Sequence, residues 1–401
     1  MRILIRLIQF LVGALFLFSG FVKAVDPLGT AYKMHDYFTA FAGDFPAMKW
    51  MWEFMTDTVN FWAVFMLVFE LVLGLALIVG WRPKLTLWLT LLLTLFFTFL
   101  TGYTYLSGYT MKHWYNPFSW VFNEKDMKVT DCGCFGDFMK LKPYTSFWKD
   151  VVLDMLILFL LFGWRNLYTL VSGKIGNVLI GLGTAASLLF CFSNYLWGLP
   201  MIDFRPYAIE KNIKEGMTLP SNAVKDSVVM VFIYEKNGKQ VELSMDEIKN
   251  IDSTYKFVDR KDKVIREGDH PAIHDFSIVS ADGTNITEDI LSQENVFLLV
   301  AYDINHSNGD VQGKINDFVA LAQQNGIEFI GLTGSLPAEV DKFRHEHNSM
   351  FDYYYCDATA LKTMIRSNPG LMLLKKGTVT AMWHHRDFPT FDEVKKNYLT
   401  R

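Results

Sequence analysis

The sequence is poor in cysteine and carries none of the motifs that mark common hydrolases. Four cysteines in 401 residues are too few for a disulfide-rich scaffold. A formal net charge of −4 gives no reason to expect nucleic-acid binding. The GxSxG and HExxH patterns and a GxxxxGK[ST] phosphate loop do not occur. The sequence therefore offers no motif for a hydrolase or a nucleotide-dependent enzyme.

Charged residues are scarce in the first half of the chain. Residues 1–197 contain 12 acidic and 15 basic side chains, whereas residues 198–401 contain 30 acidic and 23 basic ones. Hydrophobic residues make up 51% of the whole chain and aromatic residues 15%. This uneven distribution excludes a disordered chain and predicts an apolar membrane part followed by a water-soluble part.

Five stretches have the length and apolarity of membrane helices. The last precedes the soluble half, and the fourth is the weakest because Lys149, Asp150 and Asp154 lie in its first half. The first stretch resembles a signal peptide in length, but Lys23-Ala24-Val25-Asp26 is a poor cleavage site, so we expect a retained helix. The five stretches are approximately residues 7–23, 59–80, 85–106, 144–164 and 178–199.

Basic residues indicate how these helices are oriented. They precede the first stretch and occupy the loops after the second and the fourth, at Arg2, Arg6, Arg82, Lys84, Arg165 and Lys174. Because short cytoplasmic loops are enriched in Lys and Arg, we expect a cytoplasmic N-terminus in a bacterial inner membrane. Residues 25–58, 107–143 and everything after about 200 then lie outside, where disulfides persist.

The soluble half alternates between strand and helix patterns. Val228–Tyr234 and the turn at Lys236-Asn237-Gly238-Lys239 predict one hairpin, and Phe276–Thr287 predicts a second. Beyond these, strands and amphipathic helices alternate from Val296 to Tyr398, which favours a sheet with helices on both faces.

The order of elements over about residues 270–400 resembles the thioredoxin-like fold in its extracytoplasmic thiol-oxidoreductase form. The best marker is Asn368-Pro369-Gly370, directly before the predicted strand Leu371–Leu374. The resemblance implies a cis bond between Asn368 and Pro369, and a partner-binding surface at these two residues. The family's Cys-x-x-Cys pair is missing, because residues 303–309 after the strand Val296–Tyr302 contain no cysteine. This domain cannot perform dithiol exchange at that position.

The strongest motif is Cys132-Gly133-Cys134-Phe135-Gly136, in the predicted outer loop before the fourth membrane helix. A disulfide between two cysteines two positions apart closes a small, strained ring that is readily exchanged. Two alternatives remain open at this stage: a structural disulfide or inert thiols, and a metal site with His113 as the nearby imidazole. Asp131 and Asp137 flank the motif, and their charges disfavour an activated thiolate.

This motif gives the first half a resemblance to the DoxX-like membrane proteins and, among them, to the MauE family of methylamine-utilisation proteins. The matching residues are the motif itself, Glu70, and the helix-end sequences Ser19-Gly20-Phe21-Val22-Lys23 and Asp26-Pro27. The resemblance covers about residues 1–165. It implies a four-helix membrane bundle with a role in forming or delivering disulfides outside the membrane.

Four further side chains stand out. Glu70 lies near the centre of a predicted membrane helix, where a carboxylate is costly, so it serves either proton transfer or a structural pairing. Cys191 either resolves a disulfide with Cys132 or Cys134 or is simply packed in its helix. Cys356 is predicted to be a buried strand-end residue. The adjacent His384 and His385 are predicted to lie at the surface.

Together these observations predict a helical membrane bundle followed by a soluble α/β thioredoxin-like domain. The expected boundaries are residues 1–175 for the bundle, 176–200 for a fifth helix, 201–269 for a β-rich connecting region and 270–401 for the thioredoxin-like domain.

We expect thiol–disulfide exchange with extracytoplasmic proteins through Cys132 and Cys134, assisted by Glu70, with Asn368 and Pro369 binding the partner. A quinone is compatible as electron acceptor, although no residue identifies a quinone site. The alternative is a non-enzymatic membrane anchor or assembly subunit whose tail is a binding module.

Overall fold

The structure is a computed structural model of the full chain. It describes residues 2–110, 121–122, 127–129, 133–171, 173–219, 222–224, 227–236, 239–249, 251–252, 254–266 and 268–399. Cys132, Asp131 and His113, which the sequence singled out, lie outside the described residues.

Seven helices build the first half of the described chain. Four of them, α1, α4, α5 and α7, are long and apolar enough to cross a membrane. The helix α6 is 20 residues long, packs along α5 and carries the three charged residues noted above. The bounds are α1 Arg2–Val25, α2 Pro27–Asp44, α3 Lys49–Asp57, α4 Val59–Val79, α5 Pro83–Ser107, α6 Pro143–Phe162 and α7 Gly173–Leu196.

The helices α2 and α3 fill a segment that the sequence analysis treated only as an outer loop. Asp26 caps α2 by accepting a hydrogen bond from the Gly29 amide at 3.0 Å, and Pro27 occupies its first position. The inner face of α2 buries Tyr37, Phe38 and Phe41 against aromatic residues of α3 and α5. This segment is therefore a packed layer on one end of the bundle.

The closest helix pair in the bundle is α1 and α4. Two glycines face each other there, and a Cβ atom on Gly13 would lie 3.1 Å from the Gly74 carbonyl oxygen. Small residues at such a crossing let helix backbones approach. The pairs α5–α6 and α4–α7 complete the bundle, with α7 at its periphery.

The connecting region contains a three-stranded antiparallel sheet in the order β4-β3-β5. Lys236 pairs with Lys239, so the first predicted hairpin is confirmed, whereas the third strand was not predicted. The strands are β3 Ser227–Lys236, β4 Lys239–Ser244 and β5 Lys256–Arg266, with short helices α8 Ile213–Gly216 and α9 Met245–Ile248 nearby. A two-residue pair, β1 Tyr109–Thr110 and β2 Val121–Phe122, precedes this region in the chain.

The C-terminal domain is built on a five-stranded sheet in the order β10-β9-β6-β7-β8. The three strands β6, β7 and β8 are parallel, and β9 and β10 are antiparallel to their neighbours. The strands are β6 Val296–Val300, β7 Glu328–Thr333, β8 Tyr353–Tyr355, β9 Gly370–Lys375 and β10 Thr378–His384. The second predicted hairpin is reduced to a single bridge between Val279 and Asn285.

Helices cover both faces of this sheet, as the alternating pattern predicted. Apolar residues of α11, α12 and α14 pack on one face, and those of α8, α10 and α13 on the other. The predicted thioredoxin-like fold is confirmed, and the Asn368–Pro369 bond before β9 is cis. The helices are α10 Thr287–Ser292, α11 Gln312–Gln324, α12 Pro337–His347, α13 Ala358–Met364 and α14 Phe391–Val394, and a π-helical turn Lys395–Leu399 ends the described chain.

Candidate functional site

The segment that carries Cys134, residues 133–142 before α6, is called the Cys134 loop. It turns tightly at two glycines with positive φ, Gly133 at 61° and Gly136 at 53°, a conformation that glycine adopts readily. The Gly136 amide donates to the Gly133 carbonyl oxygen at 3.1 Å, and the Ser19 hydroxyl donates to the Cys134 carbonyl oxygen at 3.1 Å. The half-buried Cys134 therefore lies against the C-terminal end of α1.

A cavity of about 70 Å³ lies beneath this loop, between α1, α2, α4, α5 and α6. Apolar atoms form most of its wall. The polar groups in its lining are those of Ser19, Lys23, Thr30, Lys33, Tyr37, Glu70, Thr101, Cys134 and Lys149.

Glu70 forms an ion pair with Lys23 inside this cavity. The Lys23 Nζ to Glu70 Oε2 distance is 2.5 Å, and the two side chains are 8% and 3% exposed. The Lys23 ammonium also lies 4.7 Å from the centroid of the Phe97 ring. The sequence left open whether Glu70 is protonated or paired, and the structure pairs it. Its proposed catalytic role stays a prediction.

A second ion pair joins Lys149 and Asp150 on α6. Their charged atoms are 2.8 Å apart, and Thr101 of α5 donates to Asp150 at 3.1 Å. The Lys149 ammonium lies 5.1 Å from the Phe135 ring and interacts electrostatically with the neighbouring Cys134. The sequence interpretation considered only the acidic neighbours of the motif, whereas the structure brings lysines to its cavity.

The two described cysteines outside the loop are buried free thiols. Cys191 is fully buried among Ala24, Leu67 and other apolar residues of α1 and α4. Cys356 lies in the core of the thioredoxin-like domain, and burial raises the pKa of its thiol to about 11. The structure therefore shows Cys191 and Cys356 as packed residues.

The thioredoxin-like domain contacts the membrane half close to the Cys134 loop. The buried guanidinium of Arg366 lies 2.8 Å from Asp26 and 3.2 Å from Asp137. The hydroxyls of Tyr32 and Tyr302 are hydrogen bonded at 3.0 Å in the same interface. Burial acts to raise the pKa of Asp26, but the charge and hydrogen bond of Arg366, together with the Arg205 charge and the Gly29 amide, outweigh it and hold that pKa below its ordinary value.

The cis-proline loop, residues 366–369, is held by its own domain as well. The Asn368 side chain donates to the Asp303 carbonyl oxygen at 2.7 Å, and Pro369 is buried. Partner binding at Asn368 and Pro369 stays a prediction, and it requires access to a loop that contacts the membrane half. The structure does not bring these two residues into the cavity that contains Cys134 and Glu70.

The surface assignment of His384 was wrong. His384 is only 7% exposed, and its ring is tilted by 35° to that of His385, with 4.1 Å between the ring centroids. His385 in turn contacts the Ser367 hydroxyl at 3.0 Å. Burial is the main reason that the pKa of His384 falls from 6.5 to about 4, with the nearby His385 and Arg386 adding to it. The pair of histidines thus supports the cis-proline loop.

Sequence reasoning missed Arg366, Lys149 and Lys33 as parts of this site. No motif surrounds Lys33, and Lys149 was noted only as a charge in the fourth apolar stretch. One signal was present for Arg366, since it stands two residues before the marker Asn368-Pro369. Its acidic partners are hundreds of residues away in sequence, and no local pattern links them.

Comparisons with known proteins match the two halves separately. Residues 1–112 match the family model of the methylamine utilisation protein MauE, and residues 228–267 match a domain of unknown function, DUF8463. No curated protein matches the chain significantly.

Solved structures match the C-terminal domain at low identity. A thiol:disulfide interchange protein from Bacteroides sp. is 11% identical, with 30% of this chain and 84% of that chain covered and a TM-score of 0.26. A putative protein disulfide isomerase from Bacteroides thetaiotaomicron is 16% identical, with 30% and 82% covered and a TM-score of 0.25. The bacterioferritin comigratory protein of Xanthomonas campestris is 13% identical, with 28% and 80% covered and a TM-score of 0.21.

The family match and the strand order agree with the two resemblances seen in the sequence. The chain is a membrane protein that combines a MauE-like helical part with a C-terminal thioredoxin-like domain.

Proposed function

We propose that this protein carries out thiol–disulfide exchange at the outer face of a bacterial inner membrane, with Cys132 and Cys134 as the reacting pair. The observation that carries the proposal is the placement of Cys134 on a glycine turn above a cavity with lysine side chains in its lining. A Cys-x-Cys disulfide in such a turn is readily opened by an incoming thiolate.

The exchange itself needs no group beyond the two proteins. A partner thiolate attacks one sulfur of the Cys132–Cys134 disulfide, which forms a mixed disulfide and releases the other sulfur as a thiolate. A second partner thiolate then breaks the mixed disulfide, so the partner is oxidised and the Cys132/Cys134 pair is reduced by two electrons. The reverse sequence delivers electrons to a partner disulfide, and the relative reduction potentials set the direction.

Lysine charge supports a thiolate at Cys134. Lys23, Lys33 and Lys149 line the cavity with Cys134 and outnumber the carboxylates of Glu70 and the neighbouring Asp150. A positive charge beside a cysteine favours the thiolate, which is the nucleophile in exchange. Asp137, the acidic residue expected to oppose this, directs its carboxylate to Arg366.

The proposed topology has five crossings, a cytoplasmic N-terminus and an extracytoplasmic C-terminal domain. Arg366 of that domain contacts Asp26, which follows α1, and Asp137, which precedes α6. Tyr168, which follows α6, instead contacts Gln9 near the start of α1. These contacts place the two ends of α6 at opposite ends of the bundle, which supports a crossing at α6 despite its charges.

A second candidate is a non-enzymatic anchor whose thioredoxin-like domain binds a partner. It is favoured by the segment after β6, where Asp303 and His306 stand in place of a cysteine pair and bond to each other at 2.8 Å. In this version the Cys132/Cys134 pair is a structural element of the outer loop.

Serine replacement discriminates between the two candidates. We would express the full chain carrying Cys132→Ser and Cys134→Ser together and assay thiol exchange in membranes against glutathione redox buffers. The exchange proposal predicts a normal protein level with loss of exchange. The matched control is Cys356→Ser, which removes a buried thiol of the other domain. Unchanged exchange in the stable double variant would reject the proposal and favour the anchor.

A further inference from the structure

The most completely built cluster outside the cavity surrounds Arg366. Its side chain is 5% exposed, yet it belongs to the interface between two halves of the chain. Its Nε atom donates to both Asp26 carboxylate oxygens, at 3.0 and 2.8 Å, and a terminal nitrogen contacts Asp137. The other terminal nitrogen donates to the Lys362 carbonyl oxygen. Each of the three guanidinium nitrogens therefore contacts an oxygen acceptor.

The two carboxylates come from separate segments that meet the site from different sides. Asp26 ends α1 and caps α2, so it is fixed by helical structure. Asp137 lies three residues after Cys134, in a loop without regular secondary structure. Because a buried arginine needs well-placed partners, its position constrains the Asp137 carboxylate and the loop that carries it.

We infer that Arg366 is a positioning residue for Cys134: the thioredoxin-like domain uses the arginine of its cis-proline loop to hold the Cys134 loop against the end of α1. This inference rests on the proposed function, because it assigns the domain a task in the same exchange site. The thioredoxin-like domain has no cysteine pair of its own. Its contact with the Cys134 loop limits access to Cys132 and Cys134 and sets their orientation.

The surrounding contacts agree with a docked domain. Tyr32 of α2 lies beneath the guanidinium, with 5.3 Å from its ring centroid to the Arg366 Cζ atom. Tyr302, at the end of β6, is hydrogen bonded to Tyr32. Phe138 of the Cys134 loop packs edge-on against Phe204 at 5.1 Å between centroids. Polar and aromatic contacts thus fix the loop at both Asp137 and Phe138.

Alkylation kinetics test the inference on the full chain in membranes. After reduction, Cys134 would be alkylated with a maleimide and its labelled peptide quantified by mass, separately from that of Cys132. At high pH, where the thiol is fully ionised, the rate reports access to the sulfur. Arg366→Met and Asp137→Asn are each expected to raise this plateau rate by roughly three- to tenfold. The double variant is expected to match Arg366→Met, because the contact with Asp137 is already lost in that single variant.

A matched control is Arg344→Met, which removes another arginine–aspartate pair of the same domain, with Asp352 at 3.1 Å. It is expected to leave the Cys134 rate unchanged. Asp137 is 24% exposed, so Asp137→Asn keeps the test valid if Arg366→Met does not fold. Unchanged plateau rates in folded Asp137→Asn would overturn the inference. Loss of exchange on cysteine replacement together with unchanged plateau rates would reject the positioning role alone and leave the exchange proposal standing.

Discussion

Arg366 lies 3.2 Å from Asp137, so the cis-proline loop of the thioredoxin-like domain contacts the loop that carries Cys134. A redox-active thioredoxin-like domain would carry its cysteines on the face beside the cis-proline loop. In this chain that face is turned toward the membrane half. Tyr302, at the end of the strand that precedes the missing pair, is likewise bonded to Tyr32 of that half. The C-terminal domain and the membrane half are therefore in direct contact beside Cys134.

Removing the Lys149 ammonium should slow the reaction of Cys134 near neutral pH. Without this positive charge the thiolate is less favoured, so Lys149→Met is expected to lower the alkylation rate at about pH 7 by roughly three- to tenfold. The plateau rate at high pH should not change. Lys149→Arg keeps the charge and should keep the rate. The control variant is Lys140→Met, since Lys140 is an exposed lysine of the Cys134 loop. A uniform drop at every pH would contradict the charge effect.

Variants of the Lys23–Glu70 ion pair can distinguish its structural role from a chemical role. Glu70→Gln leaves the Lys23 charge buried without its partner and is expected to destabilise the bundle by about 3–5 kcal/mol. Replacing both residues, Lys23→Met with Glu70→Leu, should restore most of the stability, measured by thermal unfolding in detergent.

Comparison of this double variant with Lys23→Met alone decides whether Glu70 takes part in the chemistry, because both variants lack the Lys23 charge. If Glu70 transfers a proton, the double variant exchanges thiols more slowly than Lys23→Met. If its role is only structural pairing, the two variants exchange thiols at the same rate. Equal rates would remove Glu70 from the set of catalytic residues.

Cys191 should be dispensable for exchange. It is fully buried among apolar residues of α1 and α4, so Cys191→Ala is expected to cost about 1 kcal/mol of stability through lost packing. The rate of exchange with glutathione should equal that of the unmodified chain. A mixed population of disulfides that disappears only in this variant would instead identify Cys191 as a resolving thiol.

The buried His384 should make the thioredoxin-like domain less stable in mild acid. Its pKa lies at about 4 in the folded protein against an ordinary 6.5. The unfolded chain therefore takes up a proton that the folded one does not, and stability falls as pH drops from about 7 to about 5. His384→Gln should flatten this slope in thermal unfolding of the full chain, whereas His345→Gln, on the exposed end of α12, should not. Equal slopes in both variants would contradict the assignment.

Periodic patterns were sufficient to predict most of the fold. The apolar stretches give α1, α4, α5 and α7 because spanning helices need long apolar runs, and the alternating segments after Val296 give β6 to β10 with their helices. The helices α2 and α3 were not predicted, because their mixture of aromatic and polar residues is explained only by packing on the end of the bundle.

The site was only partly predictable. The Cys-x-Cys motif and Glu70 are visible in the sequence, one through its spacing and the other through a charge in an apolar run. The pairing of Glu70 with Lys23 and of Arg366 with Asp137 depends on tertiary contacts between distant segments. Likewise, His384 lies opposite Gly370 of β9, and no local pattern in the sequence predicts its burial.

The most direct test of the exchange proposal is the redox state of the cysteines in intact cells. Thiols would be trapped with a membrane-impermeant alkylating agent before and after mild reduction, and labels located by peptide mass. The account predicts that Cys132 and Cys134 are linked to each other and protected before reduction, and labelled after it. If neither residue is labelled under any condition, the pair is not an exposed extracytoplasmic exchange site and the central claim fails.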